Sequence, residues 1–89
     1  MKKYSRNPEA YSCALGTESI ILDAQKGVYL GLNEVATLVW DALCNPKTFD
    51  ELVVSVTTIY DVEHAVAVAD LTATLDDLLS RTLIQYSDE

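Results

Sequence analysis

Residues 27–40 read G-V-Y-L-G-L-N-E-V-A-T-L-V-W, and their hydrophobic period changes at a single residue, Asn33. Before Asn33, the apolar run at residues 28–32 contains neither a charge nor a proline, which favours a β-strand. After Asn33, five apolar residues share one helical stripe: Val35, Leu38, Val39, Ala42 and Leu43. Asn33 is a good N-cap for that helix. Because no loop separates the two elements, the turn at Asn33 holds the strand against the helical core.

Two further strands are predicted before this segment. Residues 11–15 and 19–23 have strand-like patterns, with a turn predicted at Gly16-Thr17 between them. Residues 24–27 have hairpin length, and Gly27 can adopt the positive φ that such a loop often requires. Three strands with short connections predict an antiparallel meander.

Two further helices are predicted after the first. Residues 48–51, T-F-D-E, match a capping box, which favours a helix over the β-branched run that follows. The third helix begins at Asp61 or Glu63 and runs to about Arg81. Leu83-Ile84 then forms a short closing strand or tail.

The predicted order is β-β-β-α-α-α, a small α+β domain of winged-helix type in which a three-stranded meander precedes three helices. The chain has 89 residues, which leaves room for one core. Residues 1–10 are assigned to a flexible N-terminal lead-in and residues 11–86 to a single domain.

The charge balance argues against nucleic acid as a partner. Fourteen acidic residues oppose six Lys and Arg, and residues 62–80 of the third helix contain no Lys or Arg. Affinity for DNA comes mainly from cations that neutralise phosphates, so a winged-helix DNA-binding regulator is disfavoured. The N-terminus has no apolar signal region and no apolar stretch approaches membrane length, so we expect a cytoplasmic protein without a membrane partner.

Catalytic and metal-binding residues are not evident. Cys13 and Cys44 are too few for a zinc site and are predicted to be small buried residues rather than a disulfide. The single histidine, His64, is predicted to lie on the surface at the start of the third helix. No nucleophile–base pair and no phosphate-binding glycine loop is present. These observations predict a protein that is not an enzyme and that uses neither metal nor cofactor.

The strand at residues 28–32 is the sharper functional signal. In a three-stranded meander the third strand is an edge, and an edge without lysine or proline is open to pairing with another chain. Gly31 also leaves room for close approach of a second backbone. Two alternatives follow: either a helix or the Leu83-Ile84 segment covers this edge, or the edge binds a peptide by β-augmentation.

An ordered set of residues carries a family resemblance. Residues 23–40 contain the pattern D-x3-G-x-Y-x2-L-N-x6-W, and it is followed by Asp70-Leu71, Leu75, Leu78 and Leu83-Ile84. This set resembles the leader-peptide recognition domains (RiPP recognition elements) of ribosomal natural-product pathways, whose namesake is the pyrroloquinoline-quinone synthesis D protein. The Y-L-G-L-N segment followed by a helix with Trp is most similar to the stand-alone recognition proteins of lasso-peptide clusters.

The resemblance implies that a precursor's leader peptide docks as a fourth strand against the third strand, in a groove shared with the third helix. On the strand it implies leader-binding roles for Val28, Tyr29, Leu30 and Gly31. On the helix it implies a groove wall made by Ala67, Asp70 and Thr74 beside the stripe of Leu71, Leu75 and Leu78. A simple core role is the alternative for those three leucines. Thr82, where the family often has Gly, and Thr74, where it often has a large apolar residue, depart from the pattern.

The function implied by the resemblance is that of a non-catalytic adaptor, with a monomer favoured. It would bind the leader segment of a precursor peptide and present it to a processing enzyme, a leader peptidase, in lasso-peptide biosynthesis. The alternative within the family is delivery of a precursor to a radical SAM enzyme in pyrroloquinoline quinone synthesis. A structural or toxin–antitoxin type interaction module is a third alternative.

Overall fold

A computed structural model describes residues 2–15, 18–23 and 26–88. The chain forms an α+β fold, as predicted, with five strands and three helices among these residues. The elements in chain order are β1 (Lys2–Arg6), β2 (Ala10–Leu15), β3 (Glu18–Asp23), β4 (Val28–Leu32), α1 (Glu34–Ala42), α2 (Phe49–Ile59), α3 (His64–Ser80) and β5 (Ile84–Asp88).

The three predicted strands form the antiparallel meander β2-β3-β4. β4 has the predicted bounds and pairs with β3 in a register that places Leu30 opposite Ile21 and Gly31 opposite Ile20. Gly27 has φ of 66°, which confirms the predicted positive φ in the hairpin loop. The turn predicted at Gly16-Thr17 and the first half of that loop, Ala24-Gln25, lie outside the described residues.

Side-chain caps begin the first two helices as predicted. Asn33 Oδ1 accepts a hydrogen bond from the backbone N–H of Ala36 at 2.9 Å. At α2, Thr48 Oγ1 accepts from the N–H of Glu51 at 3.2 Å, and Glu51 Oε1 accepts from the N–H of Thr48 at 3.0 Å. The hydrogen bonds from Thr48 hold the pKa of the Glu51 carboxyl below its usual value. This capping box confirms a helix where β-branched residues alone favoured a strand.

The core lies between the helices and one face of the meander. Its largest fully buried side chains come from β3, from all three helices and from the turn after α1: Ile21, Val39, Trp40, Leu43, Leu52, Leu71, Leu75 and Leu78. Each such side chain contributes about 1.5–3 kcal/mol when it leaves water. On α3 the predicted stripe of Leu71, Leu75 and Leu78 is buried. On α1 the predicted stripe is confirmed only in part: Val39 and Leu43 are buried and Ala42 packs against the core, whereas Val35 and Leu38 are half-buried. The buried side of α1 instead includes Ala36 and Trp40.

Residues 2–6 differ from the prediction of a flexible lead-in, because they form β1. This strand pairs antiparallel with β5, and the rings of Tyr4 and Tyr86 lie 4.6 Å apart. Tyr4 also exchanges both backbone hydrogen bonds with Lys47, at 2.7 and 3.0 Å. Burial and the nearby Tyr86 and Asp76 raise the pKa of the Tyr4 hydroxyl. A polar strand whose partner lies at the far end of the chain has no local signal, so pattern reasoning missed it.

The guanidinium of Arg6 joins β1 to the end of α1. Its Nε and Nη2 donate to the carbonyl oxygen of Trp40 at 2.9 and 2.6 Å, and its Cζ lies 4.7 Å from the centre of the indole ring. The last turn of α1 has no basic residue of its own. Arg6 therefore supplies, from a distant strand, the positive charge that favours the C-terminal end of a helix.

We expect Arg6→Ala to lower the free energy of unfolding by about 2 kcal/mol, because it removes two charged hydrogen bonds and a cation–π contact. Urea denaturation followed by circular dichroism measures this change. Lys2→Ala, at the exposed start of the same strand, is the control. It removes a longer cation–π contact, with Lys2 Nζ 5.8 Å from the centre of the Tyr86 ring, and should change stability by less than about 0.5 kcal/mol. Equal effects of the two substitutions would contradict an anchoring role for Arg6.

The C-terminal end of α3 is closed by a residue in the left-handed conformation. Thr82 has φ of 58°, its N–H donates to the carbonyl of Leu79, and the N–H of Leu83 donates to the carbonyl of Leu78, both at 3.0 Å. These two bonds are those of a Schellman motif, which usually has Gly at this position. The departure at Thr82 therefore keeps the geometry that a Gly would adopt, at the steric cost of a β-branched residue.

We expect Thr82→Gly to raise the free energy of unfolding by about 1 kcal/mol, because Gly adopts positive φ without the Cβ clash. Thr82→Ala retains the Cβ and removes the hydroxyl and the γ-methyl group, so it is the matched control for the loss of the Thr side chain beyond Cβ. Thermal unfolding of both variants and the parent chain makes the comparison. A Gly variant no more stable than the Ala variant would show that Thr82 is not strained.

Two remaining predictions concern the cysteines and the membrane. Cys13 and Cys44 are both exposed, so the prediction of buried thiols is wrong. Cys13 is in β2, an edge strand with a solvent-facing side, and strand membership alone did not reveal this. Within the described residues no single helix is long and apolar enough to cross a membrane. The helices α2 and α3 would together have the length and composition, but the chain bends by 120° between them.

Candidate functional site

The open side of β4 is the first component of the candidate site. β4 ends the sheet, and no strand among the described residues pairs with its second edge. β5 includes Ile84 but pairs with β1, so the Leu83-Ile84 segment does not cover the β4 edge as a paired strand. A Cβ at Gly31 would meet no atom within 4 Å, and 72% of Tyr29 is exposed. The edge therefore presents backbone groups to solvent with space beside them.

The two faces of β4 differ in burial. Leu32 is buried, and Leu30 is half-buried and packs against the core. Tyr29 and Gly31, which alternate with them, are exposed. Val28 lies opposite Asp23 at the start of the strand. Since β3 holds one side of β4 and the capped helix α1 begins two residues after Leu32, the open edge is fixed in position.

The residues predicted on α3 divide into two groups. Four of them are core residues with at most 1% exposure: Ala67, Leu71, Leu75 and Leu78. Asp70 is exposed and Thr74 is half-buried. The core alternative for the three leucines therefore describes their position, and they act by holding α3 in place. Direct contact with a leader stays a prediction for all of these residues, and surface position favours Asp70 and Thr74.

A cavity lies at one end of β4, between the β3–β4 hairpin and the C-terminal end of α3. Its volume is about 220 Å³. Its lining comes from three parts of the chain: Asp23 and Lys26 of the hairpin, Leu30 of β4, and Ser80, Arg81 and Leu83 at the helix end. Sequence reasoning missed this cavity, because Lys26 and Arg81 are 55 positions apart and appear in the sequence only as isolated cations.

Local contacts place the two cations of the cavity. Asp23 is buried, and its Oδ1 accepts a hydrogen bond from the N–H of Lys26 at 3.2 Å. Lys26 Nζ donates to Thr82 Oγ1 at 3.3 Å, which links the hairpin to the end of α3. Arg81 Nε donates to Asp77 Oδ1 at 3.1 Å in an exposed pair. The left-handed turn at Thr82 thus sets the wall of the cavity as well as the end of the helix.

The site has the groups needed to bind an extended chain. The edge of β4 offers main-chain donors and acceptors, and the cavity offers an apolar wall with charged groups at its rim.

His64 is exposed on the first turn of α3, as predicted. Among the described residues, no three His, Cys, Asp or Glu side chains are grouped to hold a metal ion.

Comparison with known proteins identifies the class. The family model described as "Coenzyme PQQ synthesis protein D (PqqD)" matches residues 18–84, which is most of the chain. The chain therefore belongs to the PqqD family. No curated protein sequence matches it.

Two solved structures are similar to the chain over nearly its whole length. One is described as "TbiB1 in Complex with the TbiA(beta) Leader Peptide"; it is 27% identical, has a TM-score of 0.85, and the alignment covers 94% of this chain and 99% of that one. The other is described as "Lasso peptide synthetase B1 complexed with the leader peptide". It is 23% identical with a TM-score of 0.80, covers 92% of this chain and 96% of that one, and supports the fold alone.

Proposed function

We propose that this protein is a non-catalytic adaptor that binds the leader segment of a ribosomally synthesised precursor peptide by strand addition to β4. The open, uncharged edge of β4 carries this proposal. Membership of the PqqD family and the similarity to TbiB1, a protein solved with a leader peptide, support it. Main-chain pairing supplies the affinity, and side-chain contacts beside the edge supply the selection.

The fixed position of β4 favours this mode of binding. A peptide that adds to a sheet loses its own conformational freedom, so affinity depends on how little the receptor must also be ordered. β4 is paired with β3 along its length and passes directly into α1. The edge is therefore ordered before the peptide arrives, and the binding free energy is not spent on forming it.

The adaptor would present the bound leader to a processing enzyme, for which a leader peptidase is our choice. Binding the leader raises the effective concentration of the cleavage site at an enzyme that recognises it weakly alone. The Y-L-G-L-N segment followed by a helix with Trp, which resembles the recognition proteins of lasso-peptide clusters, favours this pathway. Delivery to a radical SAM enzyme in pyrroloquinoline quinone synthesis is the second candidate, and the family description favours it.

Proline substitutions along β4 test strand addition. Consecutive N–H groups of an edge strand point alternately to the neighbouring strand and to solvent. Proline at Leu30 and proline at either neighbour, Tyr29 or Gly31, therefore remove N–H groups that point in opposite directions. One of the two kinds of variant loses a hydrogen bond to β3, and the other loses a donor of the open edge. We expect the edge-donor variants to fold and to bind a fluorescein-labelled leader, taken from the precursor encoded beside this gene, about tenfold more weakly.

Fluorescence anisotropy measures the affinities, and circular dichroism identifies the variants that fold. The matched controls are proline variants at Tyr11 and Ser12 of β2, the other edge of the same sheet. The folded β2 variants should bind the leader as the parent chain does. If every folded β4 variant also binds with parental affinity, strand addition at β4 is excluded.

Asp70 is the exposed member of the predicted α3 wall, so reversing its charge tests the position of the groove. We expect Asp70→Lys to weaken binding of a leader with a basic residue at the facing position by about fivefold, the magnitude of a partly exposed charge pair. Asp76→Lys is the control, since Asp76 is exposed on the same helix and lies close enough to Tyr4 of β1 for its charge to raise the pKa of the Tyr4 hydroxyl. Equal affinities of the two variants would remove Asp70 from the site.

A further inference from the structure

Positive charge is scarce on this chain, and one third of it is gathered at the cavity. The six Lys and Arg are Lys2, Lys3, Arg6, Lys26, Lys47 and Arg81, and the net charge is −8. Lys26 and Arg81 both line the cavity at the start of β4. The length of α3 before this point has only acidic and neutral side chains, apart from its first residue, His64. The cavity is therefore the part of the β4–α3 region where a carboxylate meets cations.

The cations at the cavity differ in how far they are neutralised. Arg81 shares its charge with Asp77. Lys26 Nζ donates only to the hydroxyl of Thr82 and forms no ion pair among the described residues. Asp23, the remaining acid of the lining, is 6% exposed and accepts from the backbone of Lys26. The ammonium of Lys26 is thus available to an incoming carboxylate, with Arg81 beside the same opening.

The size and lining of the cavity suit one apolar side chain. A cavity of about 150 Å³ lined by apolar residues binds benzene, and this one measures about 220 Å³. Leu30 forms its β4 wall and Leu83 its helix-end wall. In a strand added beside β4, alternate side chains point to the same face as Leu30. One of these side chains would therefore lie over the cavity, and the next on that face is two residues away.

We propose that this cavity receives an apolar side chain of the bound leader and that Lys26 and Arg81 recognise an Asp or Glu two residues from it. The inference rests on the proposed strand addition to β4 and adds a register signal to it. Main-chain pairing alone permits a peptide to slip, and a slip of one residue turns every side chain to the other face. An apolar residue and an acid at fixed spacing would hold a single register.

A displayed library of random ten-residue peptides, selected on the immobilised protein, tests the proposal without knowledge of the leader. Selection on the parent chain should enrich peptides that have Asp or Glu two residues from an apolar residue. Selection on the double variant Lys26→Glu, Arg81→Glu should replace the acid by Lys or Arg. Lys47→Glu is the matched control, because Lys47 lines a different surface pocket, with Glu51 and Val54. Selection on the Lys47→Glu variant should enrich the same peptides as selection on the parent chain.

Synthetic peptides from the selection give the affinities. Changing the selected acid of the peptide to its amide should weaken binding to the parent chain about fivefold, as for a partly exposed charge pair. The same change should leave binding to the double variant Lys26→Gln, Arg81→Gln unchanged. The Gln variants carry no new charge beside Asp77, so they also serve if the Glu variant does not fold.

The outcomes separate the two proposals. Two results would overturn the role of the cavity and leave strand addition in place. One is that the peptides selected on the parent lack the acid. The other is that changing the acid to its amide weakens binding to the Gln variant as much as it weakens binding to the parent. If no selected peptide is sensitive to the β4 proline variants, strand addition fails and the cavity role fails with it.

Discussion

The junction at Asn33 is the constraint on which the rest of the structure depends. A strand that must pair with β3 and a helix that must bury Val39 and Trp40 are joined by one residue. The Asn33 side chain accepts from Ala36, so the helix begins immediately after the strand. Neither element can shift without disturbing the other. This is why β4 is held in position although no strand among the described residues pairs with its second edge, an edge that lacks the charge or proline by which native sheets usually protect such strands.

Contacts from both ends of the chain stabilise this arrangement. The α1 helix ends at a carbonyl that Arg6 satisfies from β1, and β1 is paired with β5. The α3 helix ends in a left-handed turn that sends Leu83 into the core, and Lys26 of the β3–β4 hairpin contacts that turn through Thr82. The segments that flank the meander and the helices therefore contact the elements that form the edge of β4 and the cavity beside it.

The parts of the fold that sequence predicted correctly are those with local chemical signals. The bounds of β4, the cap at Asn33 and the Thr48–Glu51 box each depend on neighbours within a few positions, and all three are confirmed. β1 was missed because its partner is some eighty positions away and its residues are polar. The α3 stripe was predicted, but its spacing cannot distinguish a groove wall from a core, and Leu71 lies in the core.

The cavity shows the same limit at the level of the site. Its lining combines a hairpin, a strand and a helix end, and these meet only because the fold brings Lys26 to Thr82. Neither cation lies in a motif, and their proximity is a product of tertiary structure. The open edge, by contrast, follows from the composition of one strand and from its place at the end of a meander. Both of these could be predicted from the sequence.

In the binding mode that we propose, the β4 edge and the cavity contribute to recognition through different chemical groups. Backbone pairing along β4 is nearly independent of the peptide's side chains, so it confers affinity that tolerates variation in sequence. It does not fix register, because each step of two residues along the strand offers an equivalent ladder. In the proposed mode of binding, a side-chain subsite at one end removes that degeneracy, since a charge pair worth about fivefold in affinity forms in one register and is lost in the others. Because the remainder of this acidic chain repels carboxylates, the scarcity of cations elsewhere is itself part of the selectivity that Lys26 and Arg81 provide.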